Sequence, residues 1–180
     1  MIYNNKEVMK KYKNYYNINE AIKNKEIYRI DHNIYADSPK LDPIILATTK
    51  HYNAIVTLNT AFYIYNLINK LDKKIYLACT RNADKYTDKN INQMCMEKNI
   101  LNIGKTTINY QGKNIYIYDK ERLLIELVRK KWLISRTYYK TIIRNYRKIA
   151  NTLDKNKLIE YAPKFYNGDS ILKTIMKEIF

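Results

Sequence analysis

Apolar positions recur at steps of three and four in some stretches of this chain and at steps of two in others. The switches between these periods divide it into elements. In "NKEVMKKYK", Val8, Met9 and Tyr12 share one helical face with lysines on the other, and in "NYYNINEAIKNKE" Tyr15, Ile18, Ala21 and Ile22 repeat at the same spacing. "IYRIDHNIYAD" alternates instead, with Ile27, Arg29 and Asp31 set against Tyr28 and Ile30 before a restart at Ile34. His32-Asn33 predicts the tip of a tight hairpin, because Asn tolerates the positive φ that such turns demand. Two helices and a two-stranded wing over residues 1–37 predict a very short winged helix-turn-helix unit. A helical cap followed by a hairpin fits the same pattern.

"SPKLDP" reads as a linker, and Asp42-Pro43 as a helix start over residues 43–51, Asp as cap and Pro in the first turn. "AIVT" predicts a short buried strand and "LNTAFYIYNLIN" a mostly apolar helix, with Asn66 as its left-handed C-terminal residue. "KKIYLACT" and "INQMCME" are strands joined by the polar loop "RNADKYTDKN". "TTINYQ" and "KNIYIYD" pair across a turn at Gln111-Gly112. Asp119 caps "KERLLIELVRKKW", whose core face is Leu123, Leu124, Leu127 and Val128. The clearest helical period runs from about Thr137 to Leu153 through Tyr139, Ile142, Ile143, Tyr146, Ile149, Ala150 and Leu153. Shorter helices near 155–162 and 169–179 end the chain. The fold class expected is α+β: the small unit at 1–37, then a mixed α/β domain over 38–180 with a C-terminal helical bundle.

Gly104-Lys105-Thr106 ends like a phosphate-binding loop, but the motif's first glycine is replaced by Asn99, and a strand rather than a helix follows the lysine. Gly104 reads as a turn residue on the way into the hairpin. Nor does the sequence offer a metal cluster, a carboxylate pair or a nucleophile–base arrangement, so a non-enzymatic, cofactor-free role is expected. With only His32 and His51, the usual ligands of a zinc site cannot be assembled. Cys79 and Cys95 sit in apolar segments without C-x-x-C spacing, which predicts buried free thiols in a reducing compartment. No apolar run reaches the ~18 residues of a membrane span, and the N-terminus lacks a secretory signal. A cytoplasmic protein without a membrane partner is expected.

Composition changes this picture through charge. The formal net charge is +16 over 180 residues. Lys, Asn, Ile and Tyr make up 94 of those residues, and their AT-rich codons account for part of the excess. Distribution is more telling: net +2 over 1–37, +5 over 38–126, and +9 over 127–180, where 13 basic residues face 4 acidic ones. In the second predicted helix Asn14, Asn17, Asn19, Glu20 and Lys23 stand between the apolar positions. Amides read adenine edges in the major groove and lysine holds phosphate. Arg29 and His32 would bring the wing to the backbone or the minor groove. Farther on, Arg136, Lys140, Arg144 and Arg147 fall within about 80° of one another on the helix beginning near Thr137. Such a stripe is either a solvated face or a surface for a negative partner, such as RNA, DNA phosphates or an acidic protein. The pairs Tyr15-Tyr16 and Tyr138-Tyr139 each place one ring toward the core by period, which favours packing over stacking on bases.

The order and spacing of "IYRIDHNIYAD", "AIVTLNTAFYIYNL", "IYLACTRNADK" and "GKTTINYQGKNIYIYDKERLLIEL" resemble the AbiEi family of antitoxins from type IV bacterial toxin–antitoxin systems. The likeness covers nearly all of the chain. Its most specific part is a strand delivering a D/S-x-E-R-x-L helix start, here Asp119, Glu121, Arg122 and Leu124. The chain departs from the family in Asn33, where wings commonly carry Gly, and in its shorter N-terminal region. The resemblance implies a cytoplasmic antitoxin, an agent of abortive infection and phage defence, that counters a nucleotidyltransferase-like toxin. It also implies that a winged helix binds promoter DNA and represses the operon. Asn17, Asn19, Lys23, Arg29 and His32 are then the DNA-binding candidates, and Arg136, Lys140, Arg144 and Arg147 the toxin- or nucleic-acid-binding ones. The rival reading is direct neutralisation of the toxin by the basic C-terminal helices without significant DNA binding. An enzyme that modifies the toxin or its substrate is more distant.

Overall fold

In a computed structural model that describes residues 2–180, the first helical run opens on a reciprocal cap. Met1, within the first expected unit, lies outside the described residues. The Asn4 side chain accepts from the Glu7 N–H at 3.0 Å, and the Glu7 carboxylate accepts from the Asn4 N–H at 2.7 Å. Helix α1 (Asn5–Tyr12) ends at Lys13, whose φ of 69° breaks the spiral. One residue later Asn14 caps α2 (Tyr15–Lys23) by accepting from the Asn17 N–H at 2.8 Å. A strand that the pattern does not reveal, β1 (Ile2–Asn4), precedes α1. It pairs antiparallel with β3 (Ile34–Ala36), which also pairs with β2 (Tyr28–Asp31), giving a three-stranded sheet of order β1-β3-β2. Asn33 turns the hairpin with φ 58°, as its position predicts. Val8, Ile18, Ala21, Ile27 and Tyr35 form the core of this unit.

Contacts divide the chain into two compact units, Met1–His51 and Tyr52–Phe180. Helix α3 (Pro43–Lys50) belongs to the first of these units. Asp42 caps α3 by accepting from the Ile44 and Ile45 N–H groups, and Ile44, Ile45, Ala47 and Thr48 are buried. An ion pair between Lys50 and Asp31 ties its last turn to β2. The expectation that one of Tyr15 and Tyr16 packs into the core is not met. They are 57% and 73% exposed, because the first turn of α2 projects past the core that Ile18 and Ala21 build.

The second unit holds a five-stranded mixed sheet of order β6-β5-β4-β8-β7. Its strands are β4 (Ile55–Val56), β5 (Ile75–Thr80), β6 (Ile91–Met96), β7 (Lys105–Tyr110) and β8 (Lys113–Tyr118). Helix α4 (Leu58–Ile64) follows β4 and ends before Asn66, which adopts the expected positive φ of 57°. A short α5 (Lys98–Leu101) leads toward β7. Gln111 and Gly112, both at positive φ, form the two-residue turn between β7 and β8. Helix α6 (Lys120–Arg129) packs against α4, α8 (Lys155–Tyr161) and α9 (Gly168–Ile179), while α7 (Arg136–Lys148) packs against α9. The long periodic helix therefore stops at Lys148, and a 3-10 turn at Ala150–Thr152 delivers the buried Leu153. Cys79 is buried but Cys95 is exposed, since β6 is an edge strand, so the expectation of two buried thiols is corrected. Of the described residues, none belongs to a helix long and apolar enough to cross a membrane.

Gly104 shows why one turn of this unit tolerates no side chain. Its φ is +70°, and a Cβ there would collide with the Cβ of Arg122 and lie 2.9 Å from Asp119 Oδ1. At Gly112 (φ +82°) a Cβ would meet nothing within 4 Å. Gly112→Ala should therefore cost only the left-handed backbone penalty, about 1–2 kcal/mol. Gly104→Ala adds overpacking and should cost about 1–3 kcal/mol more. Urea unfolding of the two variants at one pH measures the difference, and equal losses would contradict the close approach.

Candidate functional site

The junction between β8 and α6 gathers the residues that mark the chain most distinctly. Asp119 Oδ1 accepts from the Arg122 N–H at 2.9 Å and caps α6. Its Oδ2 accepts from Lys157 Nζ and from the Tyr161 hydroxyl, both at 3.2 Å, and so joins α6 to α8. That bond to Asp119 raises Lys157 above its ordinary value, while burial and then Asp119 push Tyr161 up to about 12. The carboxylate of Glu121 accepts from the Asp154 N–H at 2.8 Å, at the residue that caps α8. Arg122 is wholly buried and donates to Ile100 O at 3.0 Å and to Glu126 Oε1 at 2.8 Å. Its guanidinium lies 4.7 Å from the Tyr118 ring centroid and 4.3 Å from that of Phe165. Burial pulls Arg122 below its ordinary value, and Glu126 opposes that shift. Asp119, Glu121 and Arg122 thus hold elements together. The buried Arg122–Glu126 pair escaped sequence reasoning, although its i, i+4 spacing inside an apolar run was the available signal.

The basic stripe is a different environment. Arg136, Lys140, Arg144 and Arg147 are all exposed on α7. With Tyr139, Ile143 and Glu178 they line an open groove of about 550 Å³. The Tyr139 hydroxyl donates to the Glu178 carboxylate at 2.7 Å, and burial followed by that carboxylate raises its pKa. Arg147 Nε donates to the Glu178 carbonyl at 2.5 Å. No carboxylate among the described residues forms a salt bridge with any of the four cations. They stand together as the sequence period predicts.

In the first unit the five candidates divide. Asn19 and Lys23, one helical turn apart on α2, lie on its exposed side with Tyr16. Lys23 is 73% exposed and pairs with Glu20 at 2.7 Å. Asn17, though exposed, spends its amide on Tyr12 O at 2.9 Å and so braces the turn between the helices. Arg29 on β2 and His32 at the hairpin tip are exposed. Also missed by pattern reading is Trp132. Helix α6 ends at Arg129, and a 3-10 turn (Lys131–Leu133) leaves Trp132 85% and Leu133 80% exposed. Among the described residues no group of three or more His, Cys, Asp and Glu gathers as a metal site.

No protein-family model matches the chain, and no curated protein matches it significantly.

The buried pair yields a stability test. Arg122→Met leaves the buried Glu126 carboxylate with Arg129 alone, and should cost about 3–5 kcal/mol. The paired change Arg122→Met with Glu126→Leu removes both charges and should recover most of that loss. Denaturant midpoints of the single and double variants measure it; a double variant no more stable than the single one would contradict it.

Proposed function

We propose that this protein is an antitoxin of a type IV, AbiE-like toxin–antitoxin system that counteracts a nucleotidyltransferase-like toxin and represses its own operon. The observation that carries the reading is the ordered run of motifs ending in the Asp119-x-Glu121-Arg122 junction, spread over nearly the whole chain. For the repressor role, support comes from the order of elements in the first unit. Two capped helices across a tight turn are followed by a hairpin, the arrangement a winged helix uses to set one helix in the major groove. The exposed side of α2, with Asn19 and Lys23, would read the groove, and Arg29 and His32 would meet the backbone. Asn17 would hold the turn that aims them. With a net charge of +2 over residues 1–37, phosphate attraction would be modest and promoter binding strongly salt-sensitive.

A second reading has its own observation. The four cations of α7 lack carboxylate partners among the described residues and repel one another by ~0.2–0.5 kcal/mol per neighbouring pair. A negative partner relieves that repulsion. Direct neutralisation of the toxin through this face needs no DNA binding at all.

Two experiments test the reading. Lys23→Ala with Arg29→Ala should weaken promoter binding in a gel shift several-fold while leaving rescue from the toxin intact. If the folded chain prefers its own promoter no more than random DNA at low salt, the repressor role is wrong. Replacing Arg136, Lys140, Arg144 and Arg147 with glutamine keeps helix propensity nearly constant. The variant should fold yet protect cells poorly from the cognate toxin, and full protection would make the stripe a solvated face.

A further inference from the structure

We propose that the α7 groove and the Trp132 turn that precedes it form a binding site for a single-stranded polynucleotide: the cations hold its phosphates and Trp132 stacks on one unpaired base. This gives a ligand class to the surface on which the antitoxin reading leans, and its role in the cell rests on that reading.

The chain's only tryptophan stands on the 3-10 turn that leads into α7. Burying an indole is among the largest apolar gains available to a small domain. Yet Trp132 is 85% exposed, four residues ahead of Arg136. Lys131 Nζ lies 5.1 Å from the ring centroid and occupies one face of the indole. Such a ring offers its other face to any flat π-system, and stacking of this kind tolerates every base. Four residues farther along the chain begins the stripe from Arg136 to Arg147, which extends about 16 Å along the helix axis, room for several phosphates of one strand. The first turn of α7 carries no acidic residue, so the positive end of its backbone dipole adds to the attraction.

Two other ligands fit the pattern less well. An anionic membrane surface would welcome Trp132 and Leu133, but those two side chains make a small apolar anchor, and a flat bilayer cannot enter a groove. A regular duplex would match the cations but keeps its bases stacked on each other, leaving nothing for the indole. The groove's single acid, Glu178, is already engaged by the Tyr139 hydroxyl, so an incoming phosphate meets a carboxylate that is partly screened.

The test uses the purified full-length chain without toxin. Trp132 fluorescence, excited selectively over the tyrosines, is followed during titration with a mixed-sequence RNA dodecamer, its DNA counterpart, and the RNA annealed to its complement. Quenching by the single strands with weaker duplex binding is expected. Preference for RNA would assign the sugar, and equal binding would assign the unpaired strand itself; either supports the site. Followed by fluorescence anisotropy of labelled RNA, Trp132→Ala should weaken binding at least about fivefold, and Trp132→Phe should restore most of it. The four glutamine replacements should flatten the logarithmic salt dependence by about 2–3. Duplex binding as tight as single-strand binding would overturn the proposal. So would unchanged affinity in Trp132→Ala, or binding only to vesicles of equal parts phosphatidylcholine and phosphatidylserine. A chain that binds the strand but never protects cells would remove the antitoxin reading and leave this site standing.

Discussion

A guanidinium buried in an apolar interior must be neutralised and hydrogen-bonded, and in this protein that requirement organises the second unit. Arg122 is fully buried, so Glu126 must lie one helical turn away, Ile100 must present its carbonyl, and Tyr118 and Phe165 must flank the charge. Those partners come from four separate segments. Housing one side chain therefore fixes the approach of β8, the α5 turn, α6 and the segment before α9. The same demand reaches Gly104, where any Cβ would collide with that of Arg122. Asp119 extends the arrangement outward, capping α6 with one oxygen and holding α8 with the other. Desolvation makes such a cluster a modest source of net stability, while removing one partner strands a buried charge.

Much of the fold is legible in the sequence wherever it rests on local chemistry. Asp42 and Asp119 act as caps, Asn33 and Asn66 take positive φ, and Gln111-Gly112 turns the hairpin, since each depends only on residues within a few positions. What periodicity could not supply depends on contacts distant in sequence. Strand β1 is three residues long, too short to show a period, and exists because β3 has a free edge to pair with. Tyr15 follows the spacing of Ile18 and Ala21 but lies beyond the core those residues reach. Trp132 looks like the end of an apolar helix until the helix stops at Arg129. On α7 the four cations were legible as a face because they are purely local, but Glu178, which lines the same groove, arrives from α9.

The residues that knit the β8–α6 junction and those that would give this chain a partner are different sets. Asp119, Glu121 and Arg122 have their hydrogen bonds committed to the backbone and side chains of neighbouring elements. A motif whose polar groups are spent in this way reports packing rather than chemistry. The α7 cations have the opposite character. Arg147 is tied to a carbonyl, but no carboxylate among the described residues forms a salt bridge with any of them, and their mutual repulsion persists in the folded state. Self-repulsion tolerated at a surface, four residues along the chain from an exposed indole, is a standing cost that a negative, aromatic ligand would offset on binding. The lack, among the described residues, of a salt-bridge partner for any of the four cations separates this face from an ordinary lysine-rich helix face, where Glu at i, i+4 would have quenched the field.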